Sequence, residues 1–274
     1  MDGFYVVYRK GTDDEEILKQ QSFRNDIFLS PQNYFKSLLL SLLSYKVKKN
    51  DVLVDVGAHI GTFSLLAASK AKDGMVYAVE PCRENFCLLE KNVELNQLKN
   101  VKCINAALGG KEGDTKLYHS DINVGHTTTK QISDQYELVK EITLDKFFAE
   151  NKVRVCNFMK INCEGAEYPI LMNSSPYCLS KIRRIVILYH RDNVVSYETS
   201  ELICHLEKNN FKIIQRKTSS TRGWVFAYRK PMRLDEKTKL CLFKLGRNKL
   251  LRNIFKVGFI PIRKFIVNSR KQTL

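Results

Sequence analysis

One heptapeptide constrains this chain more than any other: Asp55-Val56-Gly57-Ala58-His59-Ile60-Gly61, which ends the apolar run DVLVDVG and opens a helical stretch from Ile60 to Lys72. A buried strand that stops at glycine and restarts as a helix leaves backbone open to close approach by a ligand. The turn sits inside a repeating alternation. MVYAVEP (75–81), VKCINAAL (101–108), VCNFMKIN (155–162) and KIRRIVILYH (181–190) are short apolar runs. Helical patterns lie between and after them at 83–97, at 143–151, from Ala166 and at about 196–210, the sign of βα units feeding a parallel sheet. FKIIQRK (211–217) and WVFAYRK (224–230), joined by TSSTRG, read as an antiparallel hairpin. Between Gly109 and Ile142 the pattern loosens, and an inserted hairpin or lid is expected there. The expected architecture is an α/β, Rossmann-like three-layer sandwich whose mostly parallel sheet ends in an antiparallel pair. Residues 1–50, with a Leu-rich helix from Tyr34 to Tyr45, are expected as a helical cap beside the ligand entrance, 51–230 as the ligand-binding domain and 231–274 as a basic tail.

The turn's chemistry narrows the ligand. A dinucleotide turn reads G-x-G-x-x-G and wraps a pyrophosphate, whereas this one has only G-x-x-x-G behind an acid. Asp55 would repel a pyrophosphate but can pair, directly or through water, with the charged amino-acid end of S-adenosyl-L-methionine. Glu80, nineteen residues after Gly61 at the end of the second strand, can accept both ribose hydroxyls. Asn105, at the end of the third, can reach an adenine edge. Asp55, Gly57, Ala58, His59, Gly61, Glu80, Pro81, Asn105 and Ala106 are therefore the expected cofactor-binding residues. The plainer reading, a tight turn that binds nothing, does not account for Glu80 and Asn105 both falling at carboxyl ends of the next strands.

The segments VLVDVGAHIGTFSLLAA, VYAVEPCRENFCLLEKNVELN, VKCINAALGG and FMKINCEGAEYPIL together resemble the FkbM family of methyltransferases, over about residues 30–230. The most specific element is the family's I-K-I-D-V-E-G-A-E, which reads here Met159-Lys160-Ile161-Asn162-Cys163-Glu164-Gly165-Ala166-Glu167. The resemblance implies a seven-stranded class I methyltransferase fold and transfer of a methyl group to an oxygen, commonly a sugar or natural-product hydroxyl. Three positions depart from the pattern. Asn162 stands where Asp is usual, which leaves a hydrogen-bonding group but takes away a base or metal ligand; His59 stands where Asn is commoner; Leu188 occupies an often acidic position.

O-methylation is an in-line displacement, so the enzyme must hold a hydroxyl against the methyl carbon and accept its proton. His190, ending the fifth strand, titrates in the useful range and is the candidate base, with Glu164 beside it and Asn162 and Lys160 completing the catalytic set. Each also has a structural reading: His190 can cap a strand, and Glu164 can complement a helix dipole. His126 and Thr127 to Thr129 are candidate substrate contacts. Asn162, Glu164 and His190 make a poor metal set, and the eight cysteines contain no C-x-x-C pair. They read as reduced core thiols, and no metal site is expected.

The net charge of +16 raises the question of nucleic acid, but the charge is unevenly placed. Residues 231–274 hold twelve Lys or Arg and two acids, so the tail carries ten of the sixteen net charges. Its interleaved Leu, Ile, Phe, Lys and Arg would give a helix one apolar and one cationic face. Such a face can lie on an anionic membrane, cover an apolar patch or pair with a subunit. The leading reading is an O-methyltransferase acting on a carbohydrate, glycan or other small hydroxylated metabolite. An RNA or tRNA methyltransferase is the rival on charge, opposed by N-C-E-G where base-amino methylases carry N-P-P-Y. A catalytically impaired binding protein of the same fold is the rival on Asn162. No apolar run reaches 18 residues and the N-terminus carries acids, so a cytoplasmic protein, peripheral to a membrane through its tail, is expected.

Overall fold

The computed structural model describes residues 4–20, 28–29, 44–121, 125–194 and 196–229. In chain order the elements are α1 (Asp13–Gln20), β1 (Val52–Val56), α2 (Thr62–Lys70), β2 (Met75–Val79), α3 (Arg83–Leu95), β3 (Val101–Ile104), β4 (Ala107–Gly109), β5 (Gly113–Tyr118), β6 (Tyr136–Thr143), α4 (Leu144–Glu150), β7 (Phe158–Ile161), α5 (Glu167–Met172), α6 (Pro176–Ser180), β8 (Arg184–His190), α7 (Thr199–Lys208), β9 (Lys212–Lys217) and β10 (Arg222–Tyr228).

Seven strands form one sheet in the order β3-β2-β1-β7-β8-β10-β9. The first five run parallel, and β10 is antiparallel to both β8 and β9. This is the seven-stranded, mostly parallel sheet with a terminal antiparallel pair that the resemblance implies. Strands covered on both faces read as apolar runs, and β1 and β7 do so except at Asp55 and Lys160; all of β7 is buried. Chain order reverses between β1 and β7, so the loops leaving their carboxyl ends diverge and open a crevice. Register sets what faces what there, with Asp55 directly beside Lys160.

The main core lies against β1, β7 and β8. It contains Val54, Met159, Ile185 and Tyr189, with Tyr168, Leu202 and Leu206 from the helices. Phe28, Phe63 and Phe158 pack on the other face, Phe63 and Phe158 stacked at 6.0 Å.

Several boundaries differ from the sequence pattern. VKCINAAL is not one strand: the chain leaves the sheet at Asn105, whose amide donates to the carbonyls of Glu80 and Pro81 (2.9 Å each). The remainder, β4, joins a separate small sheet ordered β4-β6-β5. The looser stretch after Gly109 is that sheet's hairpin. β5 exposes Asp114 and Lys116, whereas β6 exposes Tyr136, Leu138 and Lys140 and buries Glu141, so the pair shows no clean apolar-polar alternation. α2 starts at Thr62 rather than Ile60 because Gly61 is left-handed, φ +93°. The acids Asp13 to Glu16 open α1, and Ser44 and Tyr45 are not helical. The rest of the proposed Leu-rich helix and the basic tail lie outside the described residues. Of the described cysteines all are free thiols, but Cys87 and Cys204 are exposed, so these two are surface thiols and not core residues. Among the described residues no helix is long and apolar enough to cross a membrane.

Candidate functional site

A cavity of about 260 Å³ opens at the carboxyl ends of β1, β2 and β7. Gly57, Ala58, His59, Glu80, Pro81, Ala106, Lys160, Asn162 and Glu164 line it, as do His126 and Thr128 of the hairpin connection. Asp55, Gly61 and His190 are buried and do not line it, nor does Asn105, which is exposed.

The turn is held by geometry only glycine tolerates at two points. Gly57 has φ +72°, and a Cβ there would run into the backbone oxygen of Asn162. At Gly61 a Cβ would sit 2.6 Å from Leu89. Gly57 and Ala58 both donate their N–H to Val79 O at 3.0 Å, so the turn folds back over the end of β2. His59 is left-handed without being glycine (φ 54°), and its N–H donates to Glu80 Oε2 at 2.8 Å.

Asp55 is fully buried beneath the turn. Lys160 Nζ donates to its Oδ1 (2.7 Å) and to Gly57 O (2.6 Å), and Ser64 Oγ donates to its Oδ2 (2.6 Å). The acid thus stabilises the turn through Lys160, and Lys160 is the charged group at the cavity wall. Glu80 is nearly buried and also accepts from Cys82 N (3.1 Å) and Asn85 Nδ2 (3.4 Å). Burial pushes its pKa up, opposed by the charge of His59 and these hydrogen bonds. Asn105, exposed on the surface, ties the loop after β3 to the loop carrying Glu80 through its Nδ2.

An N-terminal network reaches the same turn. Asp14 Oδ1 lies 3.1 Å from His59 Nε2, and Arg9 donates to Asp14 and to Asn85. Burial works to raise the Asp14 pKa, but the hydrogen bonds from His59 and Arg9 outweigh it and hold the carboxyl well below the usual range. Ile17 of α1 reaches the cavity wall.

On the other side of the crevice, the segment after β7 is drawn into a tight loop. Glu164 (φ 50°) and Gly165 (φ 107°) are both left-handed. Glu167, fully buried, accepts from Cys163 N (3.0 Å) and Gly165 N (2.8 Å), closing the loop on itself. His190 lies between two acids, with Nδ1 3.0 Å from Glu167 and Nε2 3.3 Å from Glu164. Burial pulls its pKa down, yet the hydrogen bond and charge of Glu167, reinforced by Glu164, carry it above the ordinary value. Burial raises the Glu164 pKa, partly offset by His190. Thr127 Oγ1 donates to Glu164 O (2.7 Å) and Thr129 Oγ1 to Asn193 O (2.8 Å), so these threonines seat the hairpin connection on the loop.

Asn162 carries the most direct sign of a ligand: its Oδ1 is buried on the cavity wall without a hydrogen-bond partner. A buried acceptor left open costs about 1 to 3 kcal/mol unless something donates to it. The ammonium of S-adenosylmethionine is such a donor, and the Glu80 carboxylate on the same wall suits its ribose, so the residues present fit that cofactor. Sequence reading missed Glu167, Arg9 and Asp14. Glu167 stood within the quoted motif, whereas nothing local marks Arg9 or Asp14.

Comparison with known proteins identifies the family. The model of the Methyltransferase FkbM domain matches residues 55–213. Methyltransferase 1 of Beauveria bassiana is 27% identical over 141 residues, covering 43% of this chain and 56% of that protein. Hexuronic acid methyltransferase AglP of Haloferax volcanii is 26% identical over 152 residues, covering 56% of this chain and 61% of that protein. The chain thus spans 56% and 61% of the lengths of these curated relatives. Among solved structures, a methyltransferase FkbM from Methylobacillus flagellatus KT is similar, with a TM-score of 0.45 at 15% identity, covering 67% of this chain and 45% of that one.

Proposed function

This chain belongs to the FkbM methyltransferase family, and we propose that it moves a methyl group from S-adenosylmethionine to a hydroxyl of a carbohydrate or another small hydroxylated metabolite. The observation that carries the reading is the shared wall: Glu80, Asn162 and Glu164 line one cavity. The cofactor would supply an electrophilic methyl carbon. Glu80 would accept the ribose hydroxyls, and Asn162 Oδ1 would take the ammonium. Glu164 is the acid on the acceptor side, and its raised pKa suits a group that must take a proton as the new bond forms.

His190 receives a different role from the one its residue type suggests. Both its ring nitrogens face carboxylates and its pKa is raised, so it tends to keep its proton and has no lone pair to offer a substrate. It holds Glu164 in place and is a positioning residue. A carbohydrate acceptor is supported by the relative named as a hexuronic acid methyltransferase. The cationic tail fits an acceptor carried on an anionic membrane surface, and unchanged liposome binding after deletion of 231–274 would remove that part of the proposal.

The test is a methyl-transfer panel of uronic acids, neutral sugars and tRNA, run beside titration with S-adenosylhomocysteine. We expect binding of the analogue and transfer to a sugar. Glu164→Gln should lose roughly 10²- to 10⁴-fold in turnover while binding the analogue as the wild type does. Methylation of tRNA alone would replace the acceptor class; failure to bind the analogue would sink the cofactor assignment.

A further inference from the structure

Beside the cavity, the fold gathers three soft ligands that lie far apart in the chain. One ligand atom each from Cys82, His119 and His126 falls within 4.8 Å of the other two. Cys82 follows Pro81 and is the N-cap of α3. His119 leaves the end of β5. His126 precedes Thr127, which pairs with Tyr118 through Tyr118 N to Thr127 O (2.8 Å) and Thr127 N to Tyr118 O (3.1 Å). That bridge sets the two imidazoles edge to face, with centroids 4.8 Å apart.

We propose that Cys82, His119 and His126 form a binding site for a divalent cation of the zinc type at the rim of the cavity. The site shares no residue with Glu80, Asn162, Glu164 and His190 and stands whether or not their assignment does; His126 is the one ligand that also lines the cavity. One thiolate and two imidazoles are the donor set of a borderline-soft ion, not of magnesium or calcium, which take oxygen. In a tetrahedral zinc site the ligand atoms sit about 3.3 to 3.6 Å apart, so the cluster closes by side-chain shifts of roughly 1 Å. Glu137 Oε1 lies 3.6 Å from His119 Nε2, the place of a carboxylate that orients a ligating imidazole. Cys82 is buried in a small apolar cluster with Ala107, Leu117 and Val139, which pushes its thiol pKa up to about 12, so the ion itself must displace the thiol proton.

Binding is balanced by one proton: the Cys82 S–H bond breaks, the sulfur bonds the ion, and the proton leaves to solvent. It also has a cost in the loop. Ser120 N donates to His126 Nδ1 at 3.1 Å. The ion either takes Nδ1 in place of that hydrogen bond or binds Nε2 after the ring proton moves to Nδ1, and both routes give the Ser120 hydrogen bond up. Three protein ligands leave a fourth position, and His126 also lines the cavity. A bound ion would pin the connection that carries Thr127 to Thr129 onto the loop after β2.

The experiment takes the full chain, strips it with a chelator and titrates it with Co²⁺, reading the sulfur-to-cobalt charge-transfer band and the visible bands of a tetrahedral ion. Zn²⁺ then competes. We expect one ion per chain and displacement by Zn²⁺. The charge-transfer band should vanish in Cys82→Ser and persist in Cys87→Ser, and affinity should fall about tenfold or more in His119→Gln and in His126→Gln. Circular dichroism confirms folding of each variant. If Cys82→Ser does not fold, the two histidine variants on the hairpin connection decide. A wild type without a tetrahedral cobalt spectrum, or a spectrum that survives His119→Gln combined with His126→Gln, overturns the site.

Discussion

Asp55 and Glu167 are both carboxylates with no exposure to solvent, one on each side of the crevice, and the fold answers them differently. Asp55 meets a lysine and a serine hydroxyl, so one negative charge is matched by one positive charge. Glu167 shares a single histidine with Glu164, so two acids divide one titratable cation. The first arrangement stiffens the turn that would hold the cofactor. In the second, burial keeps the Glu164 pKa raised on the cavity wall because its share of His190 offsets only part of that shift, which suits the proton acceptor proposed above. Rigidity and titratability are thus separated across the switch point of the sheet.

Removing the cation from the first pair should have the largest effect. Lys160→Met leaves Asp55 buried without its charge partner and should cost about 3 to 5 kcal/mol, measured as a fall in the urea midpoint. Adding Asp55→Asn should recover part of it. Equal losses in the single and double variants would show that the charge is not what matters.

Next comes the turn itself. Gly57→Ala should cost about 3 kcal/mol, from a strained φ and the collision with Asn162 O. Gly113→Ala, at φ +132° with nothing within 4 Å of the added carbon, pays strain alone and should cost about 1 kcal/mol. Similar midpoints for the two would argue against close approach at the turn.

Glu80→Gln probes the ligand. It should weaken S-adenosylhomocysteine binding by about 1.5 to 3 kcal/mol, the scale of hydrogen bonds to a charged group, as read by calorimetry. Unchanged affinity would move the ribose elsewhere.

The smallest effect separates the two sides by pH. His190 has a raised pKa in the folded protein, so its contribution to stability is fully present below about pH 6.5 and is lost as pH rises through the folded value. Glu164, also raised, acts in the same direction. The stability gap between wild type and His190→Gln should therefore narrow with increasing pH in urea titrations run from about pH 6 to about pH 9. A gap that widens would mean His190 folds neutral.

Much of this was legible in the chain because it is local. Alternating apolar runs and helical periods mark β1, β2, β7 and β8, since each pattern is set by residues a few positions apart. The inserted hairpin showed as a loosened pattern, but its pairing with β4 did not, because β5 and β6 expose a mixture of Asp114, Lys116, Tyr136, Leu138 and Lys140 with no clean alternation. Asn105 read as an adenine contact; that its Nδ2 also donates to the carbonyls of Glu80 and Pro81 was not legible, because it depends on where the second strand ends.

By itself the sequence determined the strand-turn-helix at Asp55 to Gly61, the order of the parallel units, the terminal hairpin and the acid after the second strand. Only the tertiary structure decided the partners. Lys160 reaches Asp55 across 105 residues because β1 and β7 are neighbours in register. His190 turns both nitrogens to acids, Asp14 and Arg9 arrive at His59 from the N-terminus, and Cys82 meets His119 and His126. Local periodicity reports which face of an element is apolar; what a buried charge or a ligand atom meets is fixed by strand order and register, which no short window of sequence contains.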